Sequence, residues 1–214
     1  MSAAKGATIA ETYKDRINAL KNGGGRKILG IVGPPGCGKS TLAAALLELL
    51  GDDAVAVPMD GYHLANVELA RLGRAGRKGA EDTFDSAGYV SLLRRLKEQQ
   101  ANEIVYAPEF RREIEEPIAN AIPVFPETQL VITEGNYLLL DHGHWASVSD
   151  LLDEIWYVDI DHSVRRDRLV KRHMHFGRSQ SAAEDWVANT DEPNAVRIEA
   201  TKHRADVLFN WEGE

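Results

Sequence analysis

The chain carries one segment whose residue types and spacing suit it to hold a polyphosphate. Residues 33–40 read GPPGCGKS and match the pattern G-x-x-x-x-G-K-[ST] at every required position. Glycines let the backbone curl so that successive N–H groups point at phosphate oxygens, and a helix that begins there adds its positive N-terminus. Lys39 would reach the β- and γ-phosphates, and the Ser40 hydroxyl would ligate Mg²⁺. The residues expected to bind a nucleoside triphosphate are Gly33, Gly36, Cys37, Gly38, Lys39, Ser40 and Thr41.

The match is specific, because a chain of this composition would contain the pattern by chance roughly once in 200 sequences. The alternative interpretation is a glycine-rich turn that binds nothing. The segment follows a short β-branched run at residues 28–32 and precedes a strongly helix-forming run at residues 41–50, which is the context that phosphate binding requires. We therefore interpret it as a P-loop for ATP and Mg²⁺.

Two carboxylates follow other short apolar runs. Asp60 comes after residues 55–59, and Glu134 comes after residues 130–133. Ligands of open parallel sheets sit beyond the carboxyl ends of the strands. A carboxylate there can hold the water shell of Mg²⁺ or take a proton from an attacking hydroxyl. Each could instead begin a loop or cap a helix. Two acids beside a P-loop favour a catalytic or metal-binding role. Glu134 departs from the usual Walker-B aspartate.

Apolar runs alternate with helix-forming runs along the rest of the chain. Strands are predicted over 28–32, 55–59, 130–133, 155–160 and 207–209, and helices over 8–21, 41–50, 87–100 and 165–173. Four prolines within residues 101–129 predict an irregular excursion with at most one short strand. The alternation predicts an α/β P-loop NTPase fold: a single domain over residues 1–214, with a mainly parallel five-stranded sheet, helices on both faces and a small lid.

Composition restricts the location and the partners. The only cysteine is Cys37, which excludes an intrachain disulfide or a cysteine-based zinc cluster and suits a reducing cytosol. A formal net charge of −8 argues against a general nucleic-acid binder. No apolar run approaches the ~18 residues of a membrane span, and residues 1–6 show no apolar leader. We expect a cytoplasmic protein without nucleic-acid or membrane partners; its oligomeric state stays open, with a homodimer as one option.

Three further motifs carry a resemblance to a known family. Residues 59–63 read MDGYH, residues 77–79 and 82–85 read RKG and DTFD, and residues 133–138 read TEGNYL. Together they resemble the phosphoribulokinase/uridine kinase family, and the resemblance runs from about residue 28 to residue 209. The Asp-Gly-aromatic form is similar to pantothenate kinases and to poorly characterised sugar or nucleoside kinases, more than to uridine kinases proper.

The resemblance implies an ATP-dependent kinase that phosphorylates a hydroxyl of a small metabolite. Pantothenate, a nucleoside, a sugar and a sugar phosphate all remain open as acceptors. It also implies an acceptor-activating base at Asp60 and a magnesium-associated carboxylate at Glu134. The candidate acceptor contacts are Asp60, Tyr62, His63, Phe84 and Tyr137, with a surface position as the alternative for His63.

A basic run after the fourth predicted strand places Arg165, Arg168 and Arg172 on one helix face. Similar kinases carry arginines on a lid at this point, and by that resemblance Arg168 and Arg172 are catalytic candidates. We expect the lid at about residues 172–192. An arginine that closes over the transferring group stabilises the charge of the transition state. The alternative is a solvated helix face paired with neighbouring aspartates.

Two other classes of function are alternatives to the kinase. One is a P-loop switch that regulates a protein partner. Residues 85–88, DSAG, match the D-x-x-G of GTPases, but they precede a helix and no N-K-x-D motif is present. The other is a binding module that has lost catalysis, which the presence of Lys39, Ser40, Asp60 and Glu134 disfavours.

Overall fold

The protein is described by a computed structural model over residues 8–212, which contains seven strands and seven α-helices. The strands are β1 (Lys27–Val32), β2 (Ala54–Ala56), β3 (Val105–Arg111), β4 (Glu116–Val124), β5 (Leu130–Gly135), β6 (Glu154–Val158) and β7 (Val207–Phe209). The helices are α1 (Glu11–Lys21), α2 (Lys39–Leu50), α3 (Asn66–Arg71), α4 (Ser86–Lys97), α5 (His162–His175), α6 (Gln180–Trp186) and α7 (Glu192–Glu199). None of the helices within this range is long and apolar enough to cross a membrane.

Five of the strands form a parallel sheet in the order β2-β5-β1-β6-β7. Successive residues of β1 point to opposite faces, so Leu29 and Ile31 pack with α1 and α2, whereas Ile28 and Val32 join the core that contains α4. Apolar burial on both faces is what makes β1 and β5 short, continuous hydrophobic runs. The predicted fold class is confirmed.

The second strand is shorter than the sequence predicts. The run 55–59 was expected to be a strand, but β2 ends at Ala56 and residues Met59–Tyr62 form a 3₁₀ turn. Val57 N still donates to Ile132 O at 2.8 Å, after which Pro58 has no N–H to continue the ladder. The early end of the strand places Asp60 in a turn above the sheet rather than in line with it.

Residues 101–129 contradict the expectation of an irregular excursion. They contain the antiparallel hairpin β3–β4, whose register shifts between Ala107 and Glu109. A two-stranded ribbon leaves one edge of each strand unpaired, and prolines are tolerated on such edges. Pro117 and Pro123 therefore pair opposite Phe110 and Tyr106 without ending the hairpin. The prolines concealed the alternating pattern of these strands.

The predicted ends of other elements shift by a few residues. Helix α1 begins at Glu11 instead of residue 8, because Thr8 pairs with Glu212 in an isolated bridge. Strand β6 ends at Val158, not at residue 160. The Asp161 side chain accepts from the backbone N–H groups of Ser163 and Val164, and so caps the start of α5.

The segment predicted as a lid, residues 172–192, is helical. Helix α5 continues to His175, and α6 and α7 are joined by a π-helical turn over Val187–Asp191. Buried Arg165 fixes the root of this segment, since its guanidinium pairs with Glu192 and also donates to Pro35 O at 3.3 Å. Loss of Glu192 would leave a buried guanidinium without a counter-charge, which typically costs about 3–5 kcal/mol.

Gly61 tests how the hairpin is held against the turn that carries Asp60. A Cβ atom at Gly61 would lie 2.4 Å from Pro108 O, a backbone atom that cannot move alone. We expect Gly61→Ala to lower the free energy of unfolding by about 1–3 kcal/mol through overpacking. Gly76, where an added Cβ meets nothing within 4 Å, supplies the matched control Gly76→Ala. Urea denaturation measures both, and equal stabilities of the two variants would contradict this packing.

Candidate functional site

The P-loop joins the end of β1 to the start of α2 by positive-φ glycines. Gly36 has φ +83° and Gly38 has φ +100°, values that side chains with a Cβ rarely adopt. A Cβ at Gly36 would also lie 2.7 Å from the Leu169 side chain of α5. Glycine at these positions therefore allows both the curl of the loop and the close approach of helix α5.

Lys39 is buried and its ammonium is held inside the loop. Nζ donates to Gly33 O at 2.9 Å and to Pro34 O at 3.2 Å. These carbonyls hold the charge where the loop curls, so phosphate oxygens can replace them as acceptors without a large movement of the chain. The Cys37 thiol is fully buried beside Lys39, and burial raises its pKa, so it contributes packing and a backbone amide rather than a thiolate.

Glu134 lies on β5 next to the loop, because the register of the sheet pairs it with Ile31 of β1. Ser40 Oγ donates to Glu134 Oε1 at 2.8 Å. Burial raises the pKa of Glu134, and the negative charge of Asp60 raises it further, while Lys39 and the Ser40 hydrogen bond oppose this shift. The structure thus brings together the hydroxyl and the carboxylate that the sequence assigned to one metal.

Asp60 is positioned by contacts between its turn and β5. Thr133 Oγ1 donates to Val57 O at 2.7 Å, which fixes the chain just after β2. Met59 packs directly over Gly135, where an added Cβ would lie 2.6 Å from the Met59 sulfur. This close approach brings Asp60 within electrostatic reach of Glu134. The two carboxylates predicted at strand ends therefore share one cleft.

An arginine that the sequence analysis did not select faces Asp60. Arg112 lies between β3 and β4, at the tip of the hairpin, and its Nη2 atom is 3.6 Å from Asp60 Oδ2. That distance is an ion pair without a hydrogen bond. Arg112 donates no hydrogen bond to any described residue. Because residues 101–129 were interpreted as irregular, the sequence offered no way to place this tip.

The two lid arginines predicted as catalytic have different surroundings. A Cβ atom added at Gly38 would lie 4.0 Å from Arg168 Nη1 and 3.5 Å from the indole nitrogen of Trp211. Arg168 therefore lies close to the P-loop backbone. Arg172 is half-buried and lies within electrostatic reach of Asp60 and Arg112. Burial lowers the pKa of Arg172, Arg112 lowers it further, and Asp191 opposes the shift. Arg172 donates no hydrogen bond to the residues of the described range.

The π-helical turn brings Asp191 back toward α5. Asp191 Oδ2 lies at a hydrogen-bond distance of 2.8 Å from His173 Nε2, and both side chains are largely buried. Such turns inside helices are frequent at functional sites because they redirect one side chain. Here the redirected carboxylate anchors the helix turn that carries Arg172.

Aromatic side chains form a packed cluster next to Asp60. The His63 ring lies between Phe84 and Phe110, with centroid distances of 4.0 and 4.6 Å. Its Nδ1 atom is 2.8 Å from Asp60 O, and burial lowers its pKa, so the neutral ring donates from Nδ1 and keeps Nε2 as an acceptor. His63 is thus beside the cleft rather than at an unrelated surface.

Two other predicted acceptor contacts lie deeper than expected. Tyr137 is fully buried, and its hydroxyl donates to Gly79 O at 2.6 Å. Its ring packs edge-on against Phe84 at 5.7 Å, so it supports the aromatic cluster from the core. Tyr62 is partly buried against Tyr89, at a centroid distance of 5.5 Å. A sequence motif locates such residues near a site but does not say which way their side chains point.

Comparison with known proteins agrees with this arrangement. The model of the Phosphoribulokinase / Uridine kinase family matches residues 28–213. The chain belongs to this family. Membership makes it an ATP-binding P-loop kinase, a phosphotransferase that uses an alcohol group of a small molecule as acceptor.

Individual relatives support the same family membership. A Schizosaccharomyces pombe protein named as a candidate uridine kinase is 36% identical over 197 residues, covering 88% of this chain and 83% of its own. The crystal structure of a candidate fructose transport system kinase from Silicibacter sp. TM1040 is 37% identical with a TM-score of 0.84, covering 95% of this chain and all of its own. YFH7 from Saccharomyces cerevisiae has a TM-score of 0.81 at 18% identity over 94% of this chain and 98% of its own, which shows the shared fold.

The position of Lys39 in this kinase yields a direct prediction. Lys39→Ala should abolish turnover, because its ammonium is the one cation held inside the curl of the P-loop in the described residues. Phosphoryl transfer is measured by ADP release. Lys14→Ala, a lysine of α1 paired with Glu11, is the control and should retain full activity. Near-native kcat in folded Lys39→Ala would contradict the assignment of the loop.

Proposed function

We propose that the protein transfers the γ-phosphoryl group of ATP to a hydroxyl of a small metabolite bound beside Asp60. The observation that carries the proposal is the convergence of the P-loop, Glu134 and Asp60 at the carboxyl ends of the parallel strands, with the aromatic cluster next to Asp60. A pantothenate-like, nucleoside-like or sugar-like acceptor can pack against such rings while its hydroxyl faces a polar group.

Ser40 and Glu134 are the residues that would hold Mg²⁺. Their oxygen donors suit this hard cation, which usually takes only one or two protein ligands and completes its shell with phosphate oxygens and water. Among the described residues, no group of three or more His, Cys, Asp or Glu side chains forms another metal site. When bound with the nucleotide, the ion would neutralise part of the charge on the β- and γ-phosphates.

Asp60 is the proposed general base. It lies in the turn after β2, next to the aromatic cluster, so the hydroxyl of an acceptor bound there can donate to its carboxylate. Removal of the hydroxyl proton as the oxygen attacks phosphorus lowers the barrier. Glu134 is less suited to this role because its carboxylate already accepts from Ser40.

Arg172 is the proposed transition-state arginine. Its guanidinium lies near Asp60 and donates no hydrogen bond to a described residue, so it can bind the equatorial oxygens of the transferring group. Arg168 lies over Gly38 at the P-loop backbone, and we propose that it contacts the nucleotide instead. We therefore propose different roles for Arg168 and Arg172, which the sequence left equivalent.

The competing interpretation as a regulatory switch receives no support from its one motif. Asp85 of the D-x-x-G match is the N-cap of α4, where its side chain accepts from Gly88 N at 2.8 Å. This capping role accounts for Asp85 without a nucleotide. Acceptor-dependent ADP release with a panel of metabolites tests the kinase proposal directly, and hydrolysis that responds only to a protein partner would contradict it.

The role of Asp60 is tested by Asp60→Asn. This change keeps the shape but removes the proton acceptor, so kcat should fall by ~10²–10⁴-fold while ATP affinity stays nearly constant. ATP titration at several Mg²⁺ concentrations and turnover with an active acceptor measure the two quantities. Asp52→Asn, an exposed carboxylate at the opposite end of β2, serves as control.

The outcomes of this experiment distinguish three roles. A joint loss of Mg²⁺ dependence and nucleotide affinity would make Asp60 a metal-sphere ligand. Full activity would reduce it to a loop residue, because asparagine caps about as well as aspartate. Either result would contradict the proposed base.

The lid assignment predicts that Arg172→Ala lowers kcat far more than it weakens ATP binding, because its donors are needed mainly when charge develops on the transferring group. Arg168→Ala should instead raise the KM for ATP. Arg166→Ala, an exposed arginine of the same helix, controls for the loss of charge alone. Steady-state kinetics of the three variants provide the test; a change confined to the KM for ATP in Arg172→Ala would place Arg172 in ground-state binding.

A further inference from the structure

Two cations lie near His63, the central ring of the aromatic cluster. Both Arg112 and Lys78 lie close enough to His63 for their positive charges to lower its pKa. Lys78 Nζ is 5.1 Å from the centroid of Phe110, and it also donates to Asn66 Oδ1 at 2.7 Å and to Glu115 O. Lys78 thus ties the hairpin tip to α3 and leaves its charge beside the aromatic cluster.

Arg112 differs from Lys78 because it donates no hydrogen bond to a described residue. Its guanidinium carries five N–H donors, and within residues 8–212 it forms only the 3.6 Å ion pair with Asp60. The adjacent Arg111 is instead paired with Glu109 at 2.8 Å on the hairpin. A planar guanidinium beside Asp60 is suited to bidentate binding of a carboxylate or a phosphate.

The triphosphate has its own cations, so Arg112 is not needed for it. Lys39 lies inside the P-loop, Arg168 lies over Gly38, and Arg172 reaches the cleft from the lid. Arg112 comes from the opposite side, on the hairpin that packs against the turn of Asp60 and His63. Its repulsion of Arg172 across the cleft adds a second reason for an anion to lie between them.

We propose that the acceptor carries a carboxylate or phosphate group in addition to the hydroxyl that is phosphorylated, and that Arg112 binds this anion. The inference rests on the proposed function. An anionic group held by Arg112 would draw the guanidinium from Asp60, which frees that carboxylate to accept the hydroxyl proton. Arg112 therefore positions the acceptor and also sets the preference for an anionic acceptor.

A matched panel tests this specificity. Each set keeps one carbon skeleton and varies its anionic group: pantothenate and panthenol; ribose, ribonate and ribose 5-phosphate; glycerol, glycerate and glycerol 3-phosphate; uridine and uridine 5′-monophosphate. Binding is measured by calorimetry in the presence of Mg²⁺ and a non-hydrolysable ATP analogue, and transfer is measured with ATP. At least one anionic member should bind and be phosphorylated with a kcat/KM well above that of its neutral counterpart. The carboxylate and phosphate arms identify the anion.

The variants connect the preference to Arg112. Arg112→Gln should raise the KM for the anionic acceptor about 10–100-fold and leave the KM for ATP unchanged, since one charge-assisted contact is lost. Arg112→Lys should recover part of the affinity, and Arg111→Gln should behave as the wild type. A lower kcat for anionic and neutral acceptors alike would show that Arg112 acts only through Asp60 and would overturn the inference.

Failure of the inference is distinguishable from failure of the kinase proposal. Neutral acceptors that are phosphorylated as well as anionic ones would overturn the inference and leave the kinase proposal intact. Anionic members that bind in an Arg112-dependent way but are never phosphorylated would contradict the kinase proposal and support the anion site. Absence of binding by every anionic member would overturn the inference.

Discussion

The burial of Lys39 beside Glu134 is the constraint on which the rest of the site depends. An ammonium and a carboxylate removed from water need partners, because burial disfavours the charged form of each. The loop carbonyls of Gly33 and Pro34 satisfy the lysine, and Ser40 satisfies the carboxylate. The pairing of β1 with β5 places Glu134 beside the loop that follows β1 and leads into Lys39.

Two further segments meet this fixed centre. The hairpin β3–β4 is held by the close packing of Gly61 against Pro108, and helix α5 is held by Arg165, which contacts both the P-loop backbone and Glu192. Each segment brings one arginine to the cleft whose donors have no hydrogen-bond acceptor among the described residues, Arg112 from the hairpin and Arg172 from α5. We propose that a transferring phosphoryl group and an acceptor use these donors.

The sequence predicted the fixed centre better than the converging segments. The P-loop pattern encodes its own geometry, and short buried strands next to helices predict a parallel sheet, so the positions of Lys39, Ser40 and Glu134 followed from the chain alone. The hairpin did not, because Pro117 and Pro123 suggest broken structure unless it is known that the strands form an isolated ribbon. Arg112 was missed for the same reason. Likewise, the pattern that placed Arg165 on the face of Arg168 and Arg172 could not show that Arg165 is buried.

The central claim is that the protein transfers the γ-phosphoryl group of ATP to an organic hydroxyl. The most direct test follows the oxygen atoms of that group. The protein is incubated with ATP labelled with ¹⁸O in the γ-phosphoryl group, Mg²⁺ and a pool of small metabolites, and the products are separated by mass spectrometry. The account predicts that the label appears in a phosphorylated metabolite and that Lys39→Ala produces none. Recovery of the label only in inorganic phosphate, with every metabolite present in the pool unlabelled, would contradict it.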